Sequence, residues 1–495
     1  MCFSLHCITI LEFFMNDFKE KIYSGKSYIN GKFIDSNKKI EIYSPINNSH
    51  IGDVVALSKS DIDDAFLAAH NAFNKWSFTP GYKRVELIKK MASYFIEEKE
   101  FLANLITLEV GKSYKESLSE VERSYQYIMD TIDYFEKNID KPFVIDETIH
   151  GVKNKVGKFY RVPIGVVLAI SPFNYPINLS ISKIIPSLIV GNTVVFKPAT
   201  YGSLVGSQLA RYFDKSGFEP GVFNLVTGKG SEIGDYIVTN KYIQGITFTG
   251  STDIGKKIAE QASMKKLVLE LGGKDAAIVL DDIDVSLVAK EIVKGAYGYS
   301  GQRCTAIKRI IVLNDIADRL VIALREEILK LRVGNPFSSP DIVPVIDKKS
   351  LDYVLSLIQD ALVHGANIVT GNQIVGHNLL IPTLVDHVSL KSKLAWEEPF
   401  GPVLPIIRVK DISEAISVAN ASNFGLQGSV FTNDKAKALL VANHLNTGTV
   451  NINKSSSRGP DIFPFVGVKD SGFGVQGIEG AMVEMTRIKG IVENS

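Results

Sequence analysis

Cysteine is nearly absent from this chain, and its scarcity excludes a good deal. Of three cysteines among 495 residues, two stand at positions 2 and 7 and the third is Cys304. No disulfide framework can hold such a fold, so a reducing compartment is expected, which we read as the cytoplasm. The eight histidines do not cluster, and neither His-Glu-x-x-His nor a paired Cys-x-x-Cys occurs, so a metal centre has no support. Walker A and protein-kinase patterns are also missing. Charge of one sign is lacking too: 55 basic against 54 acidic side chains leave a net +1, which gives no ground for nucleic acid or an anionic membrane as partner. The apolar opening Met1–Phe14 has no basic flank, contains Glu12 and is too short to span a bilayer. We expect residues 1–14 to be a non-native or disordered extension, with Met15 opening the polar segment that follows. No internal repeat or low-complexity tract is found.

What is present is a globular composition, 45% hydrophobic and 22% charged with 39 glycines, in a chain too long for one core. From about residue 165, short β-rich runs alternate with helical stretches. Gly165–Ile170, Asn192–Phe196, Val222–Val226, Gly245–Phe248 and Ala276–Leu280 are continuously apolar, as buried parallel strands are. Helical segments near 177–190, 202–216, 231–239 and 253–263 separate them, an order that predicts a doubly wound parallel sheet. Residues 60–76 and 83–138 carry helical periodicity. After Cys304 a second alternating block has strands at 310–313, 380–387, 428–432 and 448–452 and helices near 316–332 and 350–363. The strand-like insert 141–163 and the tail after about 473 fit neither unit and could pair between subunits.

A cysteine acts as nucleophile only as thiolate, so it needs positive potential or donors that lower its pKa. Cys304 follows Arg303 in the glycine-rich turn Gly298-Tyr-Ser-Gly-Gln-Arg-Cys-Thr305, though most free cysteines are simply small buried hydrophobes. Glu270 ends the apolar run Leu267-Val-Leu-Glu270. A carboxylate there, partly desolvated, is expected to have its pKa pushed upward and to take a proton from water, unless it is only a solvated loop residue. Phe248-Thr-Gly-Ser-Thr-Asp-Ile-Gly255 reads as strand, turn and helix start, where backbone N–H groups can face a phosphate, although glycines also serve such turns for steric reasons alone. Lys197, after Val194-Val-Phe196, could reach a ribose or be a surface lysine.

Taken together, Ser171-Pro-Phe-Asn-Tyr-Pro176, Phe196-Lys-Pro-Ala-Thr200, Phe248-Thr-Gly-Ser251, Leu269-Glu-Leu-Gly-Gly-Lys274, Gly301-Gln-Arg-Cys304 and Glu397-Glu-Pro-Phe-Gly-Pro402 resemble the ordered signatures of the aldehyde dehydrogenase superfamily. The segments around Cys304, Ala395–Arg408 and Arg458–Phe465 are most similar to its non-phosphorylating branch, which oxidises glyceraldehyde 3-phosphate with NADP. The resemblance implies an α/β fold of two doubly wound parallel-sheet domains with a small β oligomerisation arm. It would divide the chain into a cofactor-binding domain (15–140 and 164–272), a catalytic domain (273–472) and the arm (141–163 and 473–495), assembled as a homotetramer, a dimer of dimers.

By the same resemblance Cys304 would attack the aldehyde, Asn174 and the Cys304 N–H would hold the oxyanion, and Glu270 would activate water against the thioester. Lys197, Thr200, Ser251, Glu398 and Phe400 would bind the cofactor. Where many NAD-using relatives carry a glutamate, Thr200 can donate to a 2′-phosphate, which favours NADP. Arg123, Tyr175, Arg303 and Arg458 would hold the phosphate of a small aldehyde substrate. The chain departs from the superfamily at Val466-Gly-Val-Lys469 and Asn453-Lys-Ser-Ser-Ser457, beside Arg458. Alternatives left open are another anionic aldehyde such as succinate semialdehyde, a CoA-acylating enzyme, a cysteine hydrolase using His364 or His444, and a catalytically silent relative.

Overall fold

Continuous apolar runs do become parallel strands here, because strands covered by helices on both sides have no face to spare for polar groups. The computed structural model describes residues 22–494, so the expectations about residues 1–14 and Met15 lie outside the described residues. Five parallel strands, β1 (Val166–Ile170), β2 (Thr193–Lys197), β3 (Phe223–Leu225), β4 (Ile243–Thr249) and β5 (Lys266–Glu270), alternate with α1 (Asn178–Ile189), α2 (Ser203–Ser216), α3 (Gly230–Val238) and α4 (Thr252–Gln261). Their spatial order is β5-β4-β1-β2-β3. Along β1, Val166 and Leu168 face one core while Val167 and Ala169 face the other, the period-two alternation of a pleated strand. Each Val or Leu side chain so buried contributes about 1.5–3 kcal/mol.

A second sheet holds β6 (Ala276–Val279), β7 (Arg309–Leu313), β8 (Thr383–Asp386), β9 (Val403–Val409), β10 (Gln427–Phe431) and β11 (Thr449–Ile452), ordered β8-β9-β7-β6-β10-β11. Ala276 therefore begins the second sheet and does not extend the first. The sequence reading has no strand at β9, whose Pro405 argues against a central position; yet β9 lies between β7 and β8, with Pro405 opposite Val385. The helical run 83–138 is broken into Gly81–Glu97, Lys99–Val110 and Tyr114–Tyr134, with left-handed Gly111 closing the middle one.

Residues 155–163 form the central strand of a separate three-stranded sheet, pairing with 143–145 on one side and with Thr486–Asn494 on the other. The tail is split, which differs from its expected assignment from 473 onward. Gly472–Phe473 pairs with β5, and the helix Ile478–Glu484 packs into the first core through Ile478 and Met482. Only the last strand reaches the third sheet, because those two apolar side chains need cover that a thin sheet cannot give. No helix among the described residues is long and apolar enough to cross a membrane.

Candidate active site

In the first sheet the chain moves outward from β1 to β3, then returns to place β4 on the other side of β1. The loops leaving β1 and β4 thus diverge, and the crevice between them is where open parallel sheets bind ligands. A cavity of about 1200 Å³ opens there. It is lined by Ser171 to Asn174 after β1, Gly250 to Ile254 after β4, and, from the second unit, Cys304, Glu398 and Phe400. Leu271–Asp275 carries the chain from the C-terminal end of β5 to the start of β6, which sets the two units face to face.

Cys304 is fixed by an overdetermined turn. Tyr299, Ser300 and Gly301 are consecutively left-handed, at φ of 48°, 53° and 73°. Such backbone is costly unless held, and here it is held from within. Tyr299 Oη donates to the Val110 carbonyl at 2.8 Å, Ser300 Oγ to Val343 O at 2.7 Å, and Gln302 Oε1 accepts from Ile346 N at 2.9 Å. A side chain at Gly301 would strike the Gly401 carbonyl, which accounts for glycine there.

Glu270 Oε1 lies 3.9 Å from Cys304 Sγ, and Asn174 Nδ2 donates to Gln302 O at 2.9 Å, beside the same turn. Two expectations about charge are corrected. Burial, then the Glu270 charge, push the Cys304 thiol up to about 12, against smaller opposing effects from Lys308 and Arg458. Arg303 does not supply the lowering field: it donates to the carbonyls of Gly298 at 3.2 Å and Gly295 at 2.5 Å. Burial also pushes Glu270 up, but Arg458 and Lys183 outweigh it, with hydrogen bonds from Arg458 and Thr249, and the carboxyl is held below its usual range. Alkylation of Cys304 by iodoacetamide should therefore rise about tenfold per pH unit between pH 7 and 10, read by mass spectrometry of its peptide; a plateau below pH 9 would contradict this.

The expected cofactor residues divide. Lys197 is buried, donates to Pro198 O at 2.8 Å, and has its pKa lowered by burial to about 8. Ser251 precedes α4 without capping it, so the first N–H groups of that helix face the cavity. Glu398 accepts from Gly273 N at 3.1 Å and pairs with Lys308 at 3.0 Å; a side chain at Gly272 would collide with it. Phe400 sits left-handed at φ 48°, edge-on to Phe173 at 6.0 Å. Thr200 is half-buried one residue beyond the lining residue Ala199 and does not itself line the cavity.

The residues expected to hold phosphate lie behind the thiol, outside that lining. Arg458 Nη1 contacts Glu270 Oε1 at 2.7 Å and Oε2 at 2.8 Å. Arg123 is paired with Asp461 at 2.7 Å and donates to Arg458 O at 3.2 Å. The Tyr175 ring lies 3.8 Å beneath Lys112 Nζ. Lys112 pairs with buried Glu120, whose Oε1 accepts from Ile177 N at 2.9 Å and Asn178 N at 3.1 Å. That carboxylate caps α1, whose N-terminal residue has no side-chain cap of its own, and so ties down the loop bearing Asn174.

Several side chains at the site escaped the sequence reading. Lys308 contacts the Cys304 carbonyl and Glu398. Lys183 on α1 is buried, its Nζ has no hydrogen-bond partner, and burial lowers its pKa to about 8. A single charge in an otherwise uncharged helix was the available signal. His364 and His444, the candidate bases of a hydrolase, instead bond carbonyls on their own helices, Asp360 at 2.8 Å and Leu440 at 2.7 Å. No cluster of metal-ligating side chains occurs among the described residues.

Known proteins are similar to this chain in both sequence and architecture. Residues 33–491 match the model of the aldehyde dehydrogenase family. The chain is 45% identical over 467 residues to the NADP-dependent glyceraldehyde-3-phosphate dehydrogenase of Streptococcus equinus, covering 94% of this chain and 98% of that one. It is 43% identical to the wheat (Triticum aestivum) protein of the same name, over 93% and 92% of the two chains. Among solved structures, the NADP-dependent glyceraldehyde-3-phosphate dehydrogenase of Bacillus halodurans C-125 complexed with NADP superposes with a TM-score of 0.93 at 47% identity, covering 95% of this chain and 99% of that one. A betaine aldehyde dehydrogenase of Staphylococcus aureus in complex with NAD+ gives 0.90 at 32%, over 95% of each chain.

Proposed function

The chain belongs to the aldehyde dehydrogenase family, and from that premise we propose that it oxidises D-glyceraldehyde 3-phosphate irreversibly to 3-phosphoglycerate with NADP. The observation that carries this reading is the placement of Cys304, with Glu270 3.9 Å behind it, in the wall of a cavity built on the first sheet's crossing point. The near full-length likeness to relatives of that name supports it.

Cys304 Sγ bonds the aldehyde carbon and gives a thiohemiacetal. Its oxyanion takes hydrogen bonds from Asn174 Nδ2 and the Cys304 N–H. Bound NADP would supply the hydride acceptor for the aldehyde hydrogen, whose loss leaves a thioester on Cys304; Lys197 and Thr200 would hold it at the adenosine end, the α4 N-terminus with Ser251 at the pyrophosphate, and Glu398 and Phe400 at the nicotinamide end. The cavity's size, the buried lysine and the uncapped helix start suit such a dinucleotide. Glu270 then removes a proton from water, the water oxygen bonds the thioester carbon, and the carbon–sulfur bond breaks. Arg123, Tyr175, Arg303 and Arg458 make the phosphate end of the substrate site.

Removing the Asn174 amide in Asn174→Ala should lower kcat by about 10²–10³-fold, the usual loss for one oxyanion donor, with KM for NADP unchanged. Introducing a carboxylate in Thr200→Glu should lower kcat/KM for NADP about 100-fold, since like charges brought together cost several kcal/mol; the value for NAD should fall far less. Both are read from initial rates of NADPH or NADH absorbance.

The third sheet leaves Phe143, Val144, Ile488, Ile491 and Val492 exposed, which supports an oligomerisation arm and assembly as a dimer of dimers. We assign the first sheet to a cofactor domain, the second to a catalytic domain, and the enzyme to the cytoplasm. The deciding experiment is NADPH formation from glyceraldehyde 3-phosphate in buffer free of phosphate and CoA. Turnover is expected there; a requirement for either acceptor, or a higher kcat/KM for succinate semialdehyde, overturns the reading.

A further inference from the structure

The base expected to activate water is not free to do so. Both Glu270 oxygens are contacted by one guanidinium nitrogen of Arg458, at 2.7 and 2.8 Å, and Oε2 also accepts from Thr249 Oγ1 at 3.0 Å. To take a proton, a carboxylate must present a lone pair to water, and a buried charge-assisted contact on each oxygen opposes that. Arg458 also has other acceptors within reach. Its Nη2 donates to Gln476 Oε1 at 2.9 Å, and its Nε lies 4.0 Å from Asp461 Oδ1, itself bound by Arg123. The thiol and the guanidinium share Glu270 Oε1 as a neighbour, so an anionic group a few bonds out from an acyl carbon on Cys304 can meet Arg458.

We propose that Arg458 is a latch on Glu270, and that the phosphate of the bound substrate releases the base by drawing the guanidinium onto itself. A phosphate dianion offers more charge and more acceptor oxygens than one carboxylate, so the exchange is favourable. Glu270 is then left facing Lys183, Cys304, Tyr127 and Thr249, a weaker set of partners for its anion. It accepts a proton from water as the oxygen–carbon bond forms, and returns it to the departing Cys304 sulfur as the carbon–sulfur bond breaks. Hydrolysis of the thioester is thereby coupled to the presence of the phosphate. The inference rests on the proposed substrate class, and Arg458 acts on deacylation as a positioning residue.

The test uses unphosphorylated glyceraldehyde with NADP, reading the NADPH burst as acylation and the following steady rate as deacylation. In the wild-type protein, added phosphite dianion should raise the steady rate per burst-active site about tenfold. In Arg458→Gln, deacylation of the unphosphorylated acyl group should be faster than in wild type and indifferent to phosphite. Its pH midpoint should lie higher than in wild type, because burial then acts on Glu270 without that cation to oppose it. Phosphite without effect on wild type, or an Arg458→Gln deacylation rate equal to or below wild type, overturns the latch. The wild-type arm needs no variant, and burst amplitude counts only folded sites. Equal kcat/KM for phosphorylated and unphosphorylated glyceraldehyde would instead overturn the substrate reading.

Discussion

Cys304→Ser is expected to abolish NADPH formation, with kcat lowered by about 10⁴-fold or more, the scale of loss when a nucleophile that works with its base is removed. The structure says why oxygen cannot stand in. Burial and the Glu270 charge already push the Cys304 thiol up to about 12, and a hydroxyl starts from a far higher pKa in the same surroundings. The substitution is nearly isosteric, so the left-handed turn at 299–301, held by bonds to Val110, Val343 and Ile346, should persist. NADP binding, measured by calorimetry, should therefore be retained. Oxidation continuing at an undiminished rate would remove the covalent mechanism altogether.

Glu270→Gln should separate the two halves of the reaction. An amide cannot accept the proton from water, so steady turnover should fall by about 10²–10⁴-fold, the contribution typical of a positioned base. Acylation should survive, because removing the Glu270 charge eliminates one of the influences that push the Cys304 thiol up. The expected record is a burst of one NADPH per active site followed by almost no further absorbance change. Arg458 loses its nearest anionic partner in this variant and keeps only the more distant Asp461, and a buried cation so weakened in its pairing is destabilising. The burst amplitude measures the folded fraction directly, so low stability cannot be mistaken for lost chemistry. Steady turnover at the wild-type rate would retire Glu270 as the base and the latch with it.

Much of this molecule is written locally in its sequence. Short apolar runs separated by helical periodicity dictate a parallel α/β sheet, because strands buried on both faces can carry little else. The family is legible too, but only through the resemblance carried by six ordered motifs, among them the one that bears Cys304. Where the local pattern misled, the cause is equally physical. Pro405 disguised a central strand, and two apolar side chains of the tail drew Ile478–Glu484 onto the first core. The electrostatics of the site belong to tertiary structure alone. Glu270 is 188 residues from Arg458, and no local pattern shows that folding presses that guanidinium against the carboxylate. Nor does adjacency reveal that Arg303 turns toward the Gly295 and Gly298 carbonyls, or that Lys183 is buried near the base. Strand and helix follow from neighbours along the chain, whereas a pKa follows from burial and from whichever charges lie closest in space, and only the fold decides those.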